Sequence, residues 1–426
     1  MNATMAQASS PSADCAIALV THRGDAPIDE QIRRYQREAI ADASPNKMRY
    51  QAWIERLGWA YVGASRAHQD EGLLTLAEHA ARCLQASSTP QRNFAGELLL
   101  GHTLHQQHRF AQARELAHGL VRTRGHWHDH ALLGDVSLEI GDLERARVAY
   151  QAVADQRPGP QAYQRAGELR WMLGDVAGAR EMLTRAAASL RTADPYVVGT
   201  IAIRLAELQW QQGDVATAQR TLDALAEIVP DLAAADYLRG RLLLGAGDTG
   251  GAVVHLRRAA AVSELPAHRW ALVDALRASG EETQAQEQAL LSTTADGRTR
   301  ALFLATHGRD VERALALAEA ELEARQDPLT LSAAAFAALQ ADDLDLAARY
   351  AEAASAFDTR GARVCLHGAL LSARLGDSQR FAEQVACARA YQHMLLPSER
   401  TLFDQLLTHP KTVARAAIEA YRRPWS

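Results

Sequence analysis

Five turn glycines, Gly141, Gly174, Gly213, Gly247 and Gly280, recur along the middle of this chain at intervals of 33, 39, 34 and 33 residues. An interval of that length holds two short helices and a turn, so each period must bury its apolar face against its neighbours. The steric pattern around each glycine repeats as well. An alanine follows five residues later at Ala146, Ala179, Ala218, Ala252 and Ala285, and a small residue precedes by seven at Gly134, Gly167, Ala206 and Gly240, with Val273 departing. Antiparallel helices joined by a tight turn approach closely only where the facing side chains are tiny. The glycine itself accepts the left-handed backbone that ends the first helix, and Pro158 and Pro230 end their second helices.

The stretches 132–158, 165–187, 204–230 and 239–262 therefore each read as an amphipathic helix, a Gly-Asp turn and a second amphipathic helix. This pattern resembles the tetratricopeptide repeat: Leu133-Gly134, Gly141, Ala146, Tyr150 and Pro158 fit its signature nearly residue for residue. Upstream, Leu100-Gly101, His108 and Ala113 continue the register. Trp53, Leu57-Gly58 and Tyr61 look like an earlier first helix, followed by an insertion near 65–72. Downstream, Gly308, Asp342 and Gly376 are turn positions spaced 28, 34 and 34 onward from Gly280, and the 28 predicts shortened helices. The expected fold is all-α, a right-handed α-solenoid of about nine such helix-turn-helix repeats over 46–393. An N-terminal helix occupies 26–45, and capping helices (SERTLFDQLL and KTVARAAIEAYRR) over 394–426 shield the last apolar face. Residues 1–25, rich in Ala, Ser and Asn without helical period, are expected to be disordered.

Composition agrees and excludes other classes. Strong helix formers dominate and aromatics are only 6%, which leaves little for an extended sheet. A net charge of -5 with both signs interspersed gives no basic footprint for nucleic acid. No stretch has the length of apolar sequence a membrane helix needs, and AIALV (16–20) is too short for an export signal core. Cys15, Cys83, Cys365 and Cys387 are far apart with no CxxC spacing, so unpaired thiols, a reducing compartment and a cytoplasmic location are expected.

The resemblance implies a concave groove lined by one face of each first helix. In this register that face carries Asp135, Glu168, Glu207, Arg241 and Asp274 at one level, with Trp171 and Trp210 at another and Tyr237 and Trp270 at a third. A run of carboxylates beside four aromatics suits a protein or peptide partner with basic and apolar side chains. Arg165 and Arg204 stand where they can neutralise those carboxylates internally. The Lys and Asn positions of the family's two-carboxylate clamp are absent, so that activity is not carried over.

Seven of the 16 histidines fall between residues 102 and 130. His102 and His105 share a helix face that the same register turns into the groove, and His128 opens the next unit in the segment HWHDH. Imidazoles so spaced are candidate metal ligands, with packing and capping roles as the simpler account. Phosphate-loop, dinucleotide, zincin and nucleophile-elbow motifs are all missing. The expected function is a non-catalytic interaction scaffold or adaptor without cofactor. A metal-binding protein using the 102–130 segment is the alternative.

Overall fold

The computed structural model describes residues 13–42, 48–68, 70–86, 90–191, 195–293 and 296–409. Every regular element among them is helical, so the chain is all-α. Two compact units divide it: one comprises residues up to 137 with 144–157, the other 138–143 with 158 onward.

The first unit opens with α1 (Ala13–Ala18) and α2 (Pro27–Asp42). Three hairpins follow: α3 (Met48–His68) with α4 (Gly72–Gln85), α5 (Pro90–Gln106) with α6 (Phe110–Thr123), and α7 (Trp127–Glu139) with α8 (Leu143–Gln156). Seven more hairpins fill the second unit: α9 (Pro160–Met172) with α10 (Val176–Ala188), α11 (Pro195–Gln211) with α12 (Val215–Ile228), and α13 (Ala233–Ala246) with α14 (Thr249–Val262). Then come α15 (Pro266–Ala278) with α16 (Gln284–Ser292), α17 (Gly297–Thr306) with α18 (Val311–Ala324), α19 (Pro328–Gln340) with α20 (Leu344–Ser355), and α21 (Ala362–Leu375) with α22 (Ser378–Tyr391). A 3-10 turn (Gln392–Met394) leads into α23 (Pro397–Thr408). Among the described residues ten hairpins stand where about nine are expected, and the degenerate units at Gly308, Asp342 and Gly376 are each complete. The short 28-residue step appears as α16 and α17, of nine and ten residues.

One turn chemistry recurs. The residue after the first helix is left-handed at Gly174 (φ 79°) and Gly213 (φ 81°), and likewise at the non-glycine positions His108 (φ 58°) and Asp342 (φ 65°). The aspartate that follows caps the second helix. Asp175 accepts from the Gly178 amide at 2.8 Å, Asp248 from Gly251 at 2.9 Å, and Asp377 from Arg380 at 3.0 Å. Each such carboxylate satisfies an otherwise orphaned N–H and contributes about 1 kcal/mol.

The small residues mark close approaches. A Cβ on Gly134 would lie 2.3 Å from the Tyr150 ring and one on Gly240 2.4 Å from Leu256 Cγ, both on the second helix of the same hairpin. Ala146, Ala179, Ala218 and Ala252 are fully buried. Ala285 is exposed; α16 begins only at Gln284, four residues after Gly280, so this position falls in its first turn.

Three sequence expectations change. Residues 13–18, placed in the disordered tail, form α1, which packs on α4 with Cys15 and Ala18 buried; residues 1–12 lie outside the described residues. All four cysteines are paired, Cys15 with Cys83 and Cys365 with Cys387, at Cα separations of 4.8 and 5.7 Å. Spacing along the chain concealed this, since the second pair joins the two helices of one hairpin, and the argument for a reducing compartment loses its basis. Finally, SERTLFDQLL does not close the end of the stack. Its helix, α23, packs against α15, α17 and α21, all first helices of their hairpins. The KTVARAAIEAYRR segment lies outside the described residues. No described helix is long and apolar enough to cross a membrane.

Candidate functional site

In the second unit each first helix packs on the next along α11, α13, α15, α17, α19 and α21, so one face of every such helix lines a common inner surface. The winding is tight enough that the loop after α20 meets the start of the unit. Thr359 Oγ1 donates to the Met172 carbonyl at 2.5 Å, and Gln211 Nε2 to the Arg360 carbonyl at 2.7 Å.

Most of the predicted groove residues lie on this surface, in two groups. The first is centred on Arg204. Its guanidinium bonds Glu168 through Nε at 2.9 Å and Glu207 through Nη1 at 3.0 Å, and lies 4.2 Å above the Trp171 ring. Trp171 Nε1 donates to Gln211 Oε1 at 2.9 Å. The carboxylates are thus already paired, and burial, aided by the Glu207 charge, pushes the Glu168 pKa up against the pull of Arg204. A row of free acids for a basic partner is not what this part of the face presents. Beside it lies a cavity of about 190 Å³ bordered by Trp171, Arg204, Arg241, Arg363 and Leu395.

The second group holds the chain's own C-terminal segment. His393 Nε2 bonds the Trp210 carbonyl at 2.8 Å, its ring edge-on to the indole at 6.0 Å. Arg241, which bonds the Tyr237 hydroxyl at 2.9 Å and lies over the Trp210 ring, also donates to the Met394 carbonyl. Leu395 and Leu396 are 2% and 1% exposed. Ser398 donates to the Asp274 carboxylate through its amide at 2.8 Å and its hydroxyl at 2.6 Å, and accepts from Trp270 Nε1 at 3.4 Å. Glu399 pairs with Arg363 and accepts from the Leu396 amide at 3.0 Å, starting α23. Phe403 and Leu406 are fully buried. Sequence reasoning missed Arg363 as part of this surface, although it falls in the first helix of a degenerate unit.

Asp274 is 1% exposed, and its Oδ1 has no hydrogen-bond partner, with Arg277 Nη1 3.7 Å away. Burial pushes its pKa up to about 6, against the Ser398 hydrogen bonds that pull it down. A carboxyl whose folded pKa exceeds its unfolded value binds more protons when folded. Its contribution is present below the unfolded value and lost as pH rises through 6. Asp274→Asn should therefore gain on the native protein between pH 4 and pH 7, by at most about 3 kcal/mol. Denaturant titrations of both proteins at the two pH values measure this, and a difference independent of pH would refute it.

Asp135 belongs to the first unit, where it accepts from the Tyr150 hydroxyl at 3.0 Å. His126 and His128 meet through their Nδ1 atoms at 3.0 Å, but the candidate trio His102, His105 and His128 forms no metal-holding group. The His102 ring packs edge-on to Trp59 at 5.3 Å and that of His105 to Phe110 at 5.5 Å. His128 lies in the first turn of α7, stacked on Trp127 at 3.5 Å. Asp129 takes the His126 amide at 3.0 Å where the helix begins. Burial, then the neighbouring His126 and Arg124, lower the His128 pKa to about 4. Among the described residues no group of three or more His, Cys, Asp or Glu is placed to hold a metal ion.

No family model matches the chain, and no curated protein does. Solved structures similar to it include a tetratricopeptide repeat protein from Parabacteroides merdae, 16% identical over 64% of this chain and 98% of that one, TM-score 0.39. Yeast Tom70 is 12% identical over 93% and 96%, TM-score 0.40. The Cut9–Hcn1 hetero-tetramer of the APC/C is 12% identical over 97% of each chain, TM-score 0.44.

Proposed function

We propose that this chain is a non-catalytic interaction scaffold whose second unit holds a protein segment against its inner first-helix surface. One observation carries the reading: that surface already grips a peptide, residues 392–408 of the same chain, through Trp210, Arg241, Trp270 and Asp274. Aromatic and arginine side chains gathered in a concave, partly desolvated surface are the usual anchors of peptide recognition. Since Arg204 neutralises Glu168 and Glu207, the partner's basic residues are not the main requirement; apolar side chains and hydrogen-bonding groups are. Asp135, in the other unit, is not part of this proposal. The metal reading has no supporting geometry.

A photo-crosslinking residue replacing Trp171, beside the open cavity, tests the idea in cells against the same residue at Val254, 58% exposed on a second helix. A discrete protein adduct is expected at position 171 and not at 254. Equal labelling at both positions, or none at 171, would remove the groove from consideration.

A further inference from the structure

Residues 392–408 differ from every other helical segment of the second unit in how they are held. Each hairpin helix there packs on the other helix of its own hairpin, whereas α23 has no such partner and packs chiefly on α15, α17 and α21. Its anchors follow a short pattern along the chain. His393 and the Met394 carbonyl meet Trp210 and Arg241, and Leu395-Leu396 enters an apolar slot. Pro397 begins the helix, Ser398 meets Asp274 and Trp270, and Glu399 meets Arg363 while it caps the first turn. The fit carries polar costs. Asp274 Oδ1 and Arg400 Nε are buried without hydrogen-bond partners, and such groups lose the hydration they would have in water.

We infer that residues 392–408 are a resident, displaceable ligand of the groove, and that the groove's partner is a protein segment of the same chemistry. That segment is extended with two consecutive large aliphatic residues, then proline, then a helix opening on a hydroxyl and an acidic residue. The inference rests on the scaffold reading above and adds to it the partner's pattern and its competition with the chain itself. Each recognition element has its own counterpart: the aliphatic pair for the slot, the hydroxyl for Asp274, the carboxylate for Arg363. A tethered ligand competes at high effective concentration, so the intact chain binds a matching partner only as often as the segment leaves.

Two measurements on the full-length chain test this. In native-state hydrogen exchange, amides within α23 should exchange at least 100-fold faster than those of α15 and α17, through an opening that leaves the hairpins intact. Exchange of α23 at the same rate as α15 would make the segment a permanent part of the core and overturn the inference. The second uses a fluorescent peptide carrying the sequence of residues 390–409. It should bind a full-length Leu395→Asp, Leu396→Asp variant at least 10-fold more tightly than it binds the native chain. The same peptide with its own Ser398→Ala and Glu399→Gln changes should lose about 10-fold. A variant that keeps native helix content and binds neither peptide better than the native chain does would also overturn it. A variant that unfolds leaves the decision to the exchange rates. Crosslinks at position 171 together with a locked α23 would keep the scaffold and discard the resident ligand. Mobile α23 with no foreign adduct at position 171 would remove the scaffold reading and, with it, the competition inferred here.

Discussion

Reduction of the two disulfides should destabilise both units, by about 4 kcal/mol through Cys15–Cys83 and about 3 kcal/mol through Cys365–Cys387. The difference follows from loop length, 68 residues against 22: a crosslink restricts the unfolded chain more when it closes a longer loop. The consequences differ in kind. Cys365–Cys387 joins helices that already pack along their length as one hairpin. Cys15 tethers the six-residue α1, too short to be helical alone, to Cys83 on α4. Reduction should therefore free α1 first, exposing Ala18 and the Tyr61 hydroxyl that now donates to the Ala18 carbonyl at 2.8 Å. Thermal melts with and without reductant, and proteolysis near residue 20, measure both effects. Protein purified without reductant should show no free thiol after denaturation; four free thiols would void the prediction.

The hairpin architecture was legible because its causes are local. A left-handed turn residue, a carboxylate that caps the next helix and a small residue at the crossing all leave marks at fixed offsets, even where His108 and Asp342 replace glycine. The aromatic and charged residues proposed for the inner face could be singled out for the same reason, since they fall at one period of the repeat. What occupies that face was not. The seat of α23 depends on how far six successive first helices rotate, a sum of small packing angles that no single offset records. The same holds for the cysteine pairs and for the meeting of Arg360 with Gln211, 149 residues apart. Arg204 is an intermediate case. Its position beside Glu168 and Glu207 follows from the register, but its simultaneous grip on both required adjacent helices at their actual spacing.

Gly174→Ala should cost about 3 kcal/mol and Gly213→Ala about 1 kcal/mol, although both glycines occupy the same place in their repeats. The left-handed backbone, φ 79° at one and 81° at the other, is common to both. A Cβ there costs about 1–2 kcal/mol in either case. Only Gly174 has a neighbour: a Cβ would lie 2.2 Å from the Asp358 carbonyl oxygen, whereas at Gly213 nothing lies within 4 Å. The oxygen belongs to backbone and cannot rotate away, so the loop carrying it must move, at about 1–3 kcal/mol. That loop also bonds Met172 and Gln211 through Thr359 and Arg360. Displacing it should loosen the closure of the second unit where the inner surface begins. Gly174→Ala should accordingly raise amide exchange at 357–361 as well as lower the unfolding midpoint, while Gly213→Ala lowers the midpoint slightly and leaves the loop protected. Equal losses at the two positions would mean that turn strain alone matters and that the contact with Asp358 contributes nothing to holding the unit closed.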